Sequence, residues 1–281
     1  MPTFVVPLDG SSFAERALRH AAALAARHAG GSGRGRVLLV ACTWPEDPPI
    51  EARLQDRADL LRGLVDVEVR ILDGANPVDG ILSTLDAGPD RTLCMATHGR
   101  GGLRSALLGS TAEAVLCRVT DPVVLVGPAT RSTVLPREHG RLVACSDGSR
   151  FADEIVPVAS AWAGDQDMDM WLVEVIQPDE GVHAPGEPPV LELRRAAEGR
   201  LAALTQRVDD GDREIGAQVL HGTPASRAIR LFAEDLPASL IAMATHGRTG
   251  LARSALGSVA SDVTRTAPCP VLLHRSTPGT P

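Results

Sequence analysis

Lysine and tyrosine are missing altogether from this chain, so its basic side chains are arginines and histidines, and neither Schiff-base chemistry nor a P-loop lysine is available to it. No apolar run of roughly 18 or more residues occurs, and an aspartate interrupts the amino-terminal stretch at position 9. The expectation is a cytoplasmic chain with neither a signal peptide nor a membrane span. Five cysteines (Cys42, Cys94, Cys117, Cys145 and Cys269) make an odd number without a CxxC pair, which suggests neither a disulfide framework nor a zinc site. They are expected to pack as small apolar residues. Positive charge is in deficit, with 28 basic against 35 acidic residues and a net charge of −7, so neither a nucleic-acid backbone nor an anionic membrane is an expected partner.

What the sequence does contain is a repeat. The stretch CMATHGRGGLRSALLGS at 94–110 returns as AMATHGRTGLARSALGS at 242–258, an offset of 148 residues. The same offset carries Gly74-Ala75-Asn76-Pro77 onto Gly222-Thr223-Pro224-Ala225, and DPVVLVG at 121–127 onto CPVLLHR at 269–275. Nearer the start, LDGSS at 8–12 matches SDGSR at 146–150 with an offset of only 138, so the second copy holds about ten extra residues, assigned to the loop QPDEGVHAPGEPPV at 177–190. A length of 281 residues suits two domains of ordinary size. The aperiodic, proline- and glycine-containing stretch 127–140 reads as their junction, giving domains at 1–128 and 141–276 and a linker at 129–140.

Within each copy the apolar runs are short and continuous: FVVPL, VLLVAC, TLCMAT and VVLV in the first, LVAC, MWLVEV, LIAMAT and VLL in the second. Runs of this kind fit strands buried on both faces of a parallel sheet. Stretches such as 13–28, 189–208 and 224–235 place alanine, leucine, glutamate and arginine at helical spacing. The alternation of strand and helix predicts two tandem doubly wound, Rossmann-like α/β domains, in which ligands bind beyond the carboxyl ends of the strands.

Every chemically suggestive motif falls at such an end. After TLCMAT the chain runs through His98, Gly99, Arg100, Gly101 and Gly102 to Gly109-Ser110 and a helix; the second copy has His246, Gly247, Arg248, Gly250 and Gly257-Ser258. Glycines let backbone approach a ligand closely, and a helix amino terminus offers unpaired N–H groups and partial positive charge, so an anion suits both places. Turn chemistry alone would also explain one such loop, but the same nine-residue gap kept in two copies favours phosphate binding. The Ser110–Glu113 spacing predicts a capping box that the second copy lacks, because Ser261 stands in the glutamate's place. Asp9 and Asp147 are candidates both for capping the next helix and for hydrogen bonding a ribose or base. His98 and His246 suit loop ordering or a phosphate hydrogen bond better than metal ligation, and Arg100 and Arg248 either reach a phosphate or stay solvated. The acidic, proline-rich loops at 43–50 and 177–190 are surface connectors or lids.

Taken together, these residues resemble a tandem universal stress protein over nearly the whole chain. The ATP-binding branch of that family carries a strand-ending aspartate, here Asp9 and Asp147, followed by G-x2-G-x9-G-[S/T]. Its second and third glycines fall on Gly99 and Gly109-Ser110 and on Gly247 and Gly257-Ser258, whereas its first falls on Ala96 and Ala244. The resemblance implies a five-stranded parallel sheet of order 3-2-1-4-5 in each half. It also implies ATP with Mg2+ as ligand, and adenine lying near Val40 and Ala41 in the first copy and near Glu174 and Val175 in the second. Glu174 is an unusual neighbour for adenine, and with Cys145 before the second turn it sets that site apart. Pairing through the last strands would make the two halves an internal pseudo-dimer, with homodimerisation of the whole chain optional. The implied function is a nucleotide-dependent regulator in the stress response with little or no turnover; the alternatives are a nucleotide-free scaffold and a slow ATP hydrolase, although LDGSS and CSDGSR match a pyrophosphate loop poorly.

Overall fold

The computed structural model describes residues 2–27, 35–45, 49–88, 90–99, 108–131, 140–177, 190–245 and 256–275. In the first half the order is β1 (Thr3–Pro7), α1 (Arg16–Arg27), β2 (Arg36–Thr43), α2 (Glu51–Leu61), β3 (Asp66–Asp73), α3 (Pro77–Asp86), β4 (Arg91–Ala96), α4 (Ser110–Leu116) and β5 (Val123–Val126). The second half repeats it with β6 (Gly140–Ser146), α5 (Arg150–Asp153), α6 (Ile155–Asp165), β7 (Met168–Ile176), α7 (Val190–Val208), β8 (Ile215–His221), α8 (Ala225–Asp235), β9 (Leu240–Ala244), α9 (Ser258–Thr266) and β10 (Val271–His274). Helix α1 of the first half thus corresponds to α5 and α6 of the second.

The strands form one ten-stranded sheet in the order β3-β2-β1-β4-β5-β10-β9-β6-β7-β8. Each half has the order 3-2-1-4-5 with parallel neighbours throughout, in agreement with the expected doubly wound architecture. The halves meet where β5 and β10 run antiparallel, with Leu125 opposite Val271, Val124 opposite Leu272 and Val123 opposite Leu273.

Because successive side chains on a strand point to opposite faces, the continuous apolar runs feed two cores at once. Val37, Leu39 and Ala41 of β2 join α1, α2, α6 and α7 on one face, while Leu38 and Val40 join α3, α4, α8 and α9 on the other. Each core runs unbroken across both halves. The outermost strands β3 and β8 are half exposed, and β3 alternates Asp66, Glu68 and Arg70 with the inward Val67, Val69 and Ile71. Such edge strands carry no continuous apolar run, which is why composition alone does not mark them.

Several contacts besides the strand ladder cross the seam. Phe4 and Trp162 meet edge to face with ring centroids 6.2 Å apart. Arg27, at the end of α1, donates to the backbone carbonyls of Gln166 and Asp167 beyond α6. On the opposite face, Arg275 donates to the Cys117 carbonyl at the end of α4, where a cation complements the helix dipole. Gly127, the repeat counterpart of Arg275, lies so close to the last turn of α9 that a β-carbon there would collide with the Thr264 carbonyl oxygen. The start of the expected linker is held too, since Thr130 is buried and Arg131 N–H donates to the Pro268 carbonyl over 2.9 Å.

Gly127→Val is expected to lower stability by about 1–3 kcal/mol in urea unfolding, because the seam has no room for the added carbons. Gly199→Ala, mid-helix in α7 with nothing within 4 Å of the new carbon, is expected to raise stability by about 0.5–1 kcal/mol in the same assay.

Candidate functional site

The turn that ends the first strand of each half has the same local structure. Asp9 Oδ1 accepts from Ser11 N–H at 2.9 Å, and Ser11 Oγ accepts from Ala14 N–H at 3.1 Å. In the second half Asp147 Oδ1 accepts from Ser149 N–H at 3.0 Å, and Ser149 Oγ accepts from Ala152 N–H at 3.2 Å. Gly10 and Gly148 take φ of 82° and 79°, a left-handed backbone that favours glycine between these residues. In the second half the serine rather than the aspartate therefore caps the helix, Ser149 ahead of α5, whereas Ser11 bonds within the turn that precedes α1; in both halves the aspartate organises the turn. In the first half the Asp9 carboxylate also lies against Gly99, in the space that a β-carbon at position 99 would need.

The starts of α4 and α9 also correspond. Gly109 N–H donates to the Thr97 carbonyl at 2.8 Å, and Gly257 N–H donates to the Thr245 carbonyl at 2.7 Å, tying each helix opening to the end of the neighbouring strand. Gly109 and Gly257 are themselves the cap residues, and neither helix start carries a side-chain cap. The expected capping box is thus corrected: Ser110 is the first helical residue, which places Glu113 one position too far along to reach back, and its N–H instead donates to the Gly109 carbonyl at 2.9 Å. The next amides of α9, those of Ser258, Val259 and Ala260, have no carbonyl within the helix to bond.

Those three residues open onto a cavity of about 350 Å³ at the carboxyl ends of β6, β7 and β9. Asp147, Val175, Ala244, Gly257 and Ser258 all line it, so five of the residues singled out in the second copy come together. The Ala244 methyl forms part of the wall and leaves that volume open. Ala152, Gln177, Ala225, Ile229, Met243 and Thr245 also line it and were not among the candidate site residues. Cys145 sits at the base, its thiol pushed up to about 12 by burial. Ser146 Oγ donates to Asp153 Oδ1 at 2.6 Å and accepts from Gly148 N–H at 2.9 Å.

Glu174 is absent from that lining. It shares the face of Leu172 and Ile176, and there, 2% exposed, it pairs with Arg200 of α7, whose Nε lies 3.1 Å from Glu174 Oε2. Strand alternation turns this carboxylate to the side of the sheet opposite the cavity, and its hydrogen bonds raise the Arg200 pKa. The same alternation separates Val40, which points into the α3/α4 core, from Ala41, which points to the other face. By register, Cys42 rather than either of them stands where Val175 stands in the second half.

In the first half, Ala96, Gly109 and Ser110 occupy the places of Ala244, Gly257 and Ser258. His98 Nδ1 lies 3.0 Å from Thr97 Oγ1, and its ring meets that of Phe13 edge on with centroids 5.8 Å apart, contacts suited to ordering the loop. Arg100, Gly102, His246, Gly247, Arg248 and Gly250 lie outside the described residues, as do 46–48 of the first expected lid loop and 178–189 of the second. Among the described residues no group of three or more His, Cys, Asp or Glu side chains could hold a metal ion, and no helix is long and apolar enough to cross a membrane.

The model of the universal stress protein family matches residues 1–127 and again residues 139–275. A universal stress protein of Methanocaldococcus jannaschii is 32% identical over 139 residues, covering 48% of this chain and 81% of that protein. Another, from Mycolicibacterium smegmatis, is 26% identical over 293 aligned residues and covers 96% of each chain. Among solved structures, a universal stress protein from Archaeoglobus fulgidus shares the fold with a TM-score of 0.68 at 20% identity over 98% of each chain. With the family matched separately in each half of one continuous sheet, this chain belongs to the universal stress protein family.

Proposed function

We propose that this protein binds ATP, with Mg2+ carried on the phosphates, in the cavity of its second half and in the corresponding first-half site. Nucleotide occupancy would then act as a regulatory signal in the stress response. The observation that carries the reading is the opening of α9 onto the cavity, where three successive residues with amides unpaired within the helix, Ser258, Val259 and Ala260, line one wall. A volume of about 350 Å³ lies within the range of small-molecule sites. Asp147 lines the same cavity, within reach of a ribose, and the Ala244 and Val175 walls supply apolar surface for a base.

Slow or absent turnover fits the same lining. Asp147 is the one carboxylate in it among the described residues, and burial pushes the Cys145 thiol up to about 12. The Ser146 hydroxyl is committed to Asp153 and Gly148, so it is not poised as a nucleophile toward the cavity. Bound, the ion would supply charge neutralisation to the triphosphate; this chain's own residues would hold and orient it.

Mass spectrometry of the purified protein after denaturation is the direct test: recovered ATP supports the reading, recovered ADP in its place supports a slow hydrolase, and absence of nucleotide supports a scaffold. Gly109→Val combined with Gly257→Val is expected to abolish nucleotide content with the fold retained, since the branched side chains would crowd the two helix openings, and a β-carbon at 109, within 3.3 Å of the Thr97 carbonyl oxygen, would shift that opening by only a few tenths of an ångström. Full ATP content in that variant would refute the site assignment.

Ser258→Asp gives a separate check. A carboxylate in the first turn of α9 favours the helix by about 0.3–1 kcal/mol but repels phosphate. The expected result is unchanged or raised thermal stability together with at least a tenfold loss of ATP affinity by calorimetry, a loss of about 1.4 kcal/mol.

A further inference from the structure

Behind the cavity of the second half, across the sheet, the Glu174–Arg200 ion pair lies against the turn that carries Asp147. A β-carbon at Gly148 would come within 2.9 Å of Arg200 Nε and 3.2 Å of Glu174 Oε1. Ser146 Oγ holds the same glycine from its other side, accepting from Gly148 N–H and donating to Asp153 Oδ1. Glu174 through its hydrogen bonds and Asp153 through its charge both raise the Arg200 pKa. The residues on either side of Asp147 are thus fixed by one network of charged groups, while Asp147 itself lines the cavity. The first half is built otherwise. Gly74 N–H donates to the Thr43 carbonyl at 2.7 Å and its repeat partner Gly222 donates to the Ile176 carbonyl at 3.2 Å, so Thr43 corresponds to Ile176, Ala41 to Glu174 and Trp44 to Gln177. There the buried apolar Leu8 and Ala41 stand in place of Ser146 and Glu174, and Arg53 and Arg57 of α2 pair instead with Glu15, at 2.7 and 3.1 Å.

We propose that Glu174 and Arg200 are positioning residues for Asp147: from behind the sheet they hold the turn that aims this carboxylate at the ribose of a nucleotide in the second-half cavity. The inference rests on the nucleotide reading above. Nε and Nη2 of Arg200 bond the two oxygens of Glu174, a planar fork that fixes direction as well as distance. Glu174 is almost wholly buried, so its charge is kept there by that partner and the two act as a unit. Glycine at 148 lets the turn settle onto the fork, since both its φ of 79° and its missing β-carbon suit the contact. The amides that face a triphosphate belong to a different element, the opening of α9. Removing the pair therefore loosens the hold on the sugar and leaves the hold on the phosphates.

The test titrates the full-length chain carrying Gly109→Val, so that the second-half site is read alone, with ATP and with inorganic triphosphate by calorimetry. Glu174→Leu combined with Arg200→Met replaces the pair by apolar groups, the solution that the first half uses at Ala41. That variant is expected to keep its fold, to bind ATP about tenfold more weakly and to bind triphosphate within about twofold of the parent. Arg200→Met alone, at a side chain that is 41% exposed, should give the same two results. Asp147→Asn keeps an oxygen for Ser149 N–H but gives up the charge offered to the sugar hydroxyls. In that background, loss of the pair should cost no further ATP affinity, which distinguishes a role exercised through Asp147 from general support of the fold. If ATP affinity is unaltered without the pair, if ATP and triphosphate weaken together, or if the loss recurs in the Asp147→Asn chain, the positioning role is overturned and the nucleotide reading survives. If the Gly109→Val chain does not bind ATP, the nucleotide reading of this cavity falls and the positioning role falls with it.

Discussion

The antiparallel ladder between β5 and β10 is the contact on which the remaining architecture depends. Each of these strands is only four residues long and buried along almost its whole length, so either half alone would expose an apolar sheet edge with unpaired backbone groups. Joining the edges satisfies that backbone and merges two sheets into one, with both cores continuous across the join. The seam also fixes how the halves face each other. Gly127 must stay small beneath α9, and Arg275 reaches the end of α4 in return. The pairing that other chains would have to make between subunits is made here within one polypeptide, without the entropy of bringing two molecules together.

The candidate site is a consequence of the parallel order within each half. Parallel strands place the ends of β6, β7 and β9 at one edge of the sheet, and the crossover to α9 returns there with its amino terminus foremost. Tying Gly257 to the Thr245 carbonyl anchors that opening, while the lack of a side-chain cap leaves the following amides to the cavity. A charged residue can stand next to such a site without entering it, because neighbours on a strand face opposite ways. Glu174 and Arg200 form their ion pair one layer away, behind the sheet.

Duplication has kept the backbone and let the rim drift. The aspartate turns, the glycine caps and the hydrogen bonds to Thr97 and Thr245 recur in both halves. Side chains at equivalent positions do not: Ala41 against Glu174, Leu8 against Ser146, Trp44 against Gln177.

Much of this was legible in the residues. The repeat, the parallel sheet and the helix openings at Gly109 and Gly257 follow from local pattern, since a buried parallel strand needs an unbroken apolar run and a close backbone approach needs glycine. The edge strands β3 and β8 were not so legible, because half-exposed strands mix charges into their pattern; the alternation of Val67, Val69 and Ile71 with charged residues was the available sign. Gln177 and Trp44 bear no motif, and matched carbonyl bonds together with strand register reveal the correspondence. The amino-acid sequence by itself determined which segments become strands, helices and tight turns, because those depend on neighbours a few residues away. Which face Glu174 takes, which residue caps α4, how β5 meets β10 and which walls enclose the cavity were decided only by the tertiary structure, since each depends on groups far apart in the chain brought into contact by packing.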